Sequence, residues 1–435
     1  MASRASFEVV IAGGGPAAAA SAVALRSSGI GVLMLLSGRQ VFRMAEAIPA
    51  AALPLLEALG LGDLVRQIGV PINGLETWLD GQNSFHRDDL FLLIDRAEFA
   101  KRMLDAAILR GAATEVIGRL PGLTHRDERR VCLAGAGRVQ EFEAAIDATG
   151  RAALWSRPLN RRPTRLAHVF QSPPMSSPAG LKLVQYESGW AYRIGLQKYM
   201  TSVLISCRTR SPELRESLAR TFGTSSGVST LIGRRLASVQ WAACPIQHRT
   251  IAVGDAALAQ DPISGQGIRF ALASALAAAS VIRTWCGSSS NEDLASNFYS
   301  EFVATELSRH LSFVDSFYEA SSQLLNGGTN ISTEPKELHV SPHDKVYFSG
   351  RVEIAPLHVG GIIASGQVIR LGDGGSVRWL SGFDLLRLRT LTEPAATVAC
   401  LRELLDREGL EQRRAAAIIN WCIKNEILVK LPPKV

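Results

Sequence analysis

Six residues near the start of the chain constrain its fold most: Gly13-Gly14-Gly15-Pro16-Ala17-Ala18. They sit between an apolar run at 8–12 and an alanine-rich run at 16–28. The first run reads as a strand, the second as a helix ended by Gly29, and 31–36 as another apolar strand. Strand, turn, helix and strand in that order make a parallel β-α-β unit. Within the turn, GxG falls on Gly13 and Gly15, and Ala18 takes the third small position. Gly13 permits the tight turn, Gly15 lets the backbone approach a pyrophosphate, and Ala18 allows close helix–strand packing. Pro16, Ala17 and Ala18 open a helix whose free N–H groups and positive dipole end favour phosphate. A lone GxGxxG is a weak signal, but this one follows a strand and opens a helix, so a bound dinucleotide is expected. The second strand ends Leu35-Leu36-Ser37, where an acidic residue usually meets the ribose. Ser37 can still make one such bond, and Arg39 lies near it in sequence.

The rest of the chain reads as an α/β fold with an insertion. Helices are expected at 50–59 and at 96–109, the latter closed by Gly111. From about 165 the pattern turns to antiparallel strands at 169–171, 181–187, 191–196, 201–208 and 238–243. Residues 251–285 return to strand, loop and helix, so a Rossmann-type domain is interrupted by a sheet domain and then resumed. The expected boundaries are 1–165 with 245–330 for the first domain and 166–244 for the sheet. Residues 331–435 are expected to form a third domain. A long helix over 292–325 carries Phe298, Phe302, Phe313 and Phe317 at helical spacing, which reads as a core stripe. Beyond it, 345–381 alternates like a small sheet with a tight turn at Asp373-Gly-Gly. Helices at 394–407 and 412–424 follow, then Ile427-Leu428-Val429, in a winged-helix-like order.

With 435 residues, two or three domains are the reasonable expectation. The net charge of +7 is spread without a basic run or interleaved aromatics, so no nucleic-acid partner is expected. Cysteines at 132, 207, 244, 286, 400 and 422 include no CxxC and form no Cys/His cluster. No metal is expected from them, and they suit a reducing compartment. The start of the chain does not read as a signal peptide, and the alanine-rich stretches are interrupted and short for a membrane span. The expected location is cytoplasmic.

A second signal lies far from the first. Thr250–Val253 reads as a strand running into Gly254-Asp255-Ala256-Ala257, and Asp261-Pro262-Ile263-Ser264-Gly265-Gln266-Gly267-Ile268 then opens a helix. This arrangement builds another anion- and carbonyl-binding helix N-terminus. An Asp beside an ordinary capped helix is the alternative, and it weakens once the two loops are taken together. Three more stretches complete the pattern: Ala45-Glu46-Ala47-Ile48-Pro49, Leu93-Ile94-Asp95-Arg96 and Ile146-Asp147-Ala148-Thr149-Gly150-Arg151.

Taken jointly over roughly 7–320, these motifs resemble the FAD-dependent monooxygenase and halogenase superfamily related to p-hydroxybenzoate hydroxylase. The resemblance implies FAD as cofactor, with NAD(P)H and O₂ as co-substrates and oxygen added at flavin C4a. It implies that Asp255 binds the ribityl chain and that Arg96 lies near the flavin. It also implies that Gly265, Gln266, Gly267 and Ile268 aim amides at the N1–C2 edge, where reduced flavin gathers negative charge. Two spellings, DATGR and DPISGQGI, are more like the tryptophan-halogenase and tryptophylquinone-maturation branches than the phenol hydroxylases. Halogenation requires a lysine after the Glu46 segment, yet the chain has none before Lys101, and the WxWxIP motif is degraded to Trp190-Ala191-Tyr192-Arg193-Ile194-Gly195. The expectation is therefore hydroxylation of a tryptophan side chain in a peptide or small protein subunit. Glu46, Trp190 and Tyr192 are its candidate substrate neighbours, each with a structural role as the alternative. The tail would help to dock the peptide, or serve as a packing or dimerisation module. Two other readings stay open: an FAD-dependent reductase of a lipid or small aromatic molecule, and a non-catalytic flavoprotein maturation factor.

Overall fold

The structure, a computed structural model, describes residues 7–38, 43–79, 82–127, 130–135, 138–173, 180–186, 189–206, 222, 229–287, 291–325, 340–380, 383–393 and 395–431. It divides into two compact units, 1–287 with 310–328 and 288–309 with 329–435.

In the first unit, short strands form a mainly parallel sheet whose inner strands are apolar on both faces and buried. Its order is Ile246–Gln247, Thr250–Ala252, Ala144–Asp147, Val9–Ala12, Val32–Ser37, Ala113–Ile117. Every pairing is parallel except that of the two-residue edge strand Ile246–Gln247. Val9, Val10, Ile11 and Ala12 are wholly buried. The helix Pro16–Arg26 starts directly after the glycine turn and packs against the helix Gly267–Gly287. Gly254 of the turn before the second helix sits against both: a Cβ on it would lie 2.8 Å from the Ala17 Cβ and 3.6 Å from the Ala271 Cβ. Gly267–Gly287 is long and apolar enough to cross a membrane, but it is a largely buried core helix of this unit.

An eight-stranded sheet is the other half of this unit. Its order is Thr230–Leu236, Leu166–Ser172, Met200–Ser206, Gly189–Gly195, Gly180–Tyr186, Val70–Leu79, Gln82–Asp95, Ala45–Pro49. The sheet expected over 166–244 thus takes three further strands from 45–95. They join through parallel pairing of Lys182–Val184 with Glu76–Trp78. Local alternation marks a strand but not so distant a partner. Alternation does fix the faces: Ala167, Val169, Trp190, Tyr192 and Val203 share one face in register.

The helix expected over 50–59 opens with a 3₁₀ turn, Ala50–Ala52, before Leu53–Ala58. Arg96–Leu109 is helical as expected, because Asp95 caps it by accepting from the N–H groups of Ala97 and Glu98. The long helix runs Glu292–Leu325. Its buried apolar positions are Ala295, Tyr299, Val303 and Val314, whereas Phe313 of the expected stripe is exposed. The core face is rotated by about one residue, because Tyr299 and Val303 share the i, i+4 row that Phe313 does not.

In the second unit, Ala396–Thr397, Lys345–Phe348 and Leu428–Lys430 form a small antiparallel sheet. The helices Val398–Arg407 and Gln412–Lys424 complete a winged-helix-like arrangement. Leu401, Leu405, Ala415, Ile418, Ile419 and Cys422 interlock in its core. The first of these helices starts at Val398 rather than near 394, because Ala396–Thr397 pairs as strand and the Thr397 hydroxyl accepts from Cys400 N–H. The hairpin Arg351–Val359 with Ile362–Arg370 precedes the turn at Asp373. There Gly374 adopts φ +83° and the Asp373 carboxylate accepts from Gly375 N–H at 2.9 Å.

Candidate functional site

The two glycine turns open on one cavity of about 520 Å³. Gly13 takes φ +126°, and a Cβ there would meet the Ala148 carbonyl oxygen at 2.3 Å, so the turn admits only glycine. Its N–H donates to the Leu35 carbonyl at 2.9 Å, which pins the turn to the neighbouring strand. Gly15 caps the helix Pro16–Arg26 without any side-chain bond, and a Cβ on it would meet nothing within 4 Å. The first helical N–H groups therefore lack both intrahelical partners and a side-chain cap. The second turn reaches the same space. Asp255, Ser264, Gly265, Gly267 and Ile268 line it, and Cβ atoms on Gly265 and Gly267 would also point into open space.

Of the residues singled out by sequence, Gly15, Pro16, Ala17, Glu46, Arg96, Trp190, Tyr192, Asp255, Gly265, Gly267 and Ile268 line this one cavity. Gly13 and Ala18 stand behind it, the first forming the turn and the second wholly buried. The Gln266 side chain is turned to accept from Arg269 Nε at 2.7 Å. Ser37 is exposed at the end of its strand and is not part of the lining. Arg39 lies outside the described residues.

Charged and apolar side chains line the cavity together. Arg96 lies 3.7 Å from Glu46, and Arg151 lies 3.8 Å from Asp255. The Glu46 carboxylate holds the Arg96 guanidinium above its ordinary pKa. Burial lowers that of Arg151, which Asp255 and Asp261 partly offset. Arg151 also donates to the carbonyls of Ser238 at 2.7 Å and Gln260 at 3.0 Å. Leu75, Phe91, Leu181, Leu183, Ile194 and Val203 line the cavity with Trp190 and Tyr192, and Tyr192 lies close enough to Glu46 and Arg96 to feel both charges. The two aromatic rings stack with centroids 5.8 Å apart. Burial pushes the Tyr192 phenol above its ordinary pKa, so it stays a neutral donor.

Among the charged residues of the lining, Arg151, Arg235 and Asp261 were not singled out by sequence reasoning. Arg151 and Asp261 were visible inside quoted motifs, as the last residue of DATGR and the first of DPISGQGI, whereas Arg235 lies in none. The partners of Arg151 and Asp261, namely Ser238, Gln260, Arg165 and Tyr318, carry no local signal.

A flavin dinucleotide fits these residues. An uncapped helix end with open space at Gly15 suits a pyrophosphate. The Asp255 carboxylate, 40% exposed, suits sugar or ribityl hydroxyls, and the apolar side chains of the lining suit a flat ring.

No protein-family model matches the chain. LodB of Marinomonas mediterranea, assigned as an FAD-dependent oxidoreductase, is 26% identical over 310 residues, covering 62% of this chain and 83% of LodB. Among solved structures, QhpG is a peptidyl tryptophan dihydroxylase essential for tryptophylquinone cofactor biogenesis. It superposes with a TM-score of 0.68 at 23% identity, over 97% of this chain and 99% of QhpG. CmlS, a flavin-dependent halogenase, superposes with a TM-score of 0.76 at 18% identity, over 98% and 96%. The chain has the fold of the flavin-dependent monooxygenases and halogenases. Both glycine turns contribute residues to the lining of this cavity. No lysine lines the cavity among the described residues.

Proposed function

We propose that this chain is a cytoplasmic FAD-dependent monooxygenase that uses NAD(P)H and O₂ to hydroxylate a tryptophan side chain of a peptide or small protein subunit. The hydroxylation serves the biogenesis of a tryptophylquinone cofactor. One observation carries the reading: an uncapped helix end and an apolar, aromatic lining share one cavity. The likeness to QhpG over nearly its whole length supports the choice within the fold.

Bound FAD would supply hydride acceptance and the activation of oxygen. The chain's own residues do the rest. The amides at Pro16–Arg26's start hold the pyrophosphate, and Asp255 accepts from hydroxyls of the ribityl chain. Gly265 and Gln266 N–H are spent on Pro262 and Ser264 within the loop, so the amides of Gly267 and Ile268 would stabilise negative charge on the pyrimidine edge. Arg96, kept cationic by Glu46, adds positive potential to the cavity. Leu181, Leu183, Ile194 and Val203 exclude water from the chamber, where an electron-rich indole is accommodated. Tyr192, held neutral by burial, offers a hydrogen-bond donor there. The absence of lysine among the described lining residues disfavours hypohalous acid chemistry. The winged-helix-like unit is assigned the docking of the peptide.

The test is anaerobic reduction of the bound flavin by NADH or NADPH, followed by isotopically labelled O₂ and a tryptophan-containing peptide. Bleaching and incorporation of the label into the indole are expected. A product formed without oxygen would replace this reading with that of a reductase.

A further inference from the structure

Behind the second turn lies a group of buried polar side chains that cofactor binding leaves without a task. Asp261 is wholly buried and heads the 262–268 loop. Its carboxylate accepts from Ile263 N–H at 3.1 Å and from the Tyr318 hydroxyl at 3.2 Å, and it lies 3.4 Å from Arg165. The Tyr318 hydroxyl in turn accepts from the Trp190 indole N–H at 2.8 Å. The Arg165 guanidinium stacks over the Tyr318 ring at 3.7 Å. On the backbone side, the Asp261 N–H donates to His310 Nε2 at 2.8 Å. Trp190 belongs to the eight-stranded sheet and lines the cavity, whereas His310 and Tyr318 come from the helix Glu292–Leu325.

We propose that Tyr318 is a positioning residue that fixes the spacing between the cofactor loop and the substrate wall. Its one hydroxyl is bonded at the same time to the carboxylate at the head of the loop and to an indole of the wall. The inference rests on the monooxygenase reading and deepens it, because this spacing sets where a substrate ring sits relative to a ring held by the loop.

A buried carboxylate is costly unless it is paired and hydrogen-bonded. The groups facing Asp261 are Arg165, Arg151, Tyr318 and His310, with His310 engaged as an acceptor from the backbone. Burial raises the Asp261 pKa, and the Ile263 N–H, the two arginines and the Tyr318 hydroxyl oppose that rise. Removing the hydroxyl takes away one donor to the anion and leaves the Trp190 N–H without its acceptor. Asp261 then keeps a proton to higher pH, and the loop loses its tie to the wall.

The experiment titrates FAD into the apo full-length protein from acid to neutral pH. It compares wild type with Tyr318→Phe, Trp190→Phe, their double variant and Asp261→Asn, each with its melting temperature. Tyr318→Phe keeps the ring and its stack, and is expected to weaken FAD binding roughly tenfold. It should also move the acid loss of binding to higher pH, which a purely structural residue would not do. The double variant should bind no more weakly than the sum of the single effects, since one break already opens the chain. A folded Tyr318→Phe with wild-type affinity and a wild-type acid limb overturns the proposal. Should that variant not fold, Asp261→Asn decides: an unchanged acid limb overturns the proposal, and a flattened one supports it. A wild type that takes up no FAD overturns the flavin reading itself, and this inference with it.

Discussion

A methyl group added at Gly13 and one added at Gly15 have different consequences, although the positions are two apart. At Gly13 the new carbon would meet a backbone carbonyl at 2.3 Å with φ at +126°. Gly13→Ala is therefore expected to damage the fold, by more than about 1 kcal/mol, as a lowered melting temperature of the apo protein. At Gly15 the side chain would enter open space. Gly15→Val is expected to fold with a near wild-type melting temperature yet to purify without flavin. A yellow Gly15→Val protein would contradict the placement of the pyrophosphate. His310 gives a prediction in pH. Its Nε2 accepts from Asp261 N–H, so it must be neutral, and burial pushes its pKa down to about 4 from 6.5. The unfolded chain takes up this proton below pH 6.5, whereas the folded chain resists until about pH 4. The contribution is full above 6.5 and is lost as pH falls toward 4, by about 1 kcal/mol per pH unit. Urea midpoints measured at neutral and mildly acid pH should show this slope, and His310→Gln, which keeps an acceptor, should flatten it.

At the scale of elements, what was legible in the sequence is what local chemistry encodes. Gly13 and Gly265 announce their turns because each holds a positive φ that favours glycine, whereas Gly15 and Gly267 leave open space where a side chain would enter the cavity. The helix Arg96–Leu109 was legible from its Asp95 cap and apolar spacing. The tie at Asp261 was not. Its partners lie 49, 57 and 96 positions away, and the Trp190–Tyr318 bond spans 128. No period or motif carries a bond of that range. The same limit hid the entry of 45–95 into the eight-stranded sheet, since alternation fixes a strand's faces but not its neighbour. The second turn itself predicts an effect: Asp255→Ala should lower FAD affinity without unfolding the chain, because its carboxylate is 40% exposed and its partner Arg151 keeps two carbonyl acceptors. Equilibrium titration with FAD, with the melting temperature alongside, checks both halves of that statement.

For the whole molecule, the account depends on one physical arrangement: two turns separated by most of the first unit's sequence enclose a single nucleotide with a flat ring. The winged-helix-like unit then has a separable expectation. Exposed charges on Gln412–Lys424, such as Arg413→Glu with Arg414→Glu, should weaken turnover of a peptide substrate through KM while leaving FAD content unchanged. Steady-state kinetics on peptide and flavin absorbance of the same sample test this together. The most direct measurement of the central arrangement is the amount of FAD released on denaturation of purified chains. Wild type should release one FAD per chain, and Gly15→Val and Asp255→Ala, one in each turn, should each release far less. Full FAD content in both variants would contradict the account.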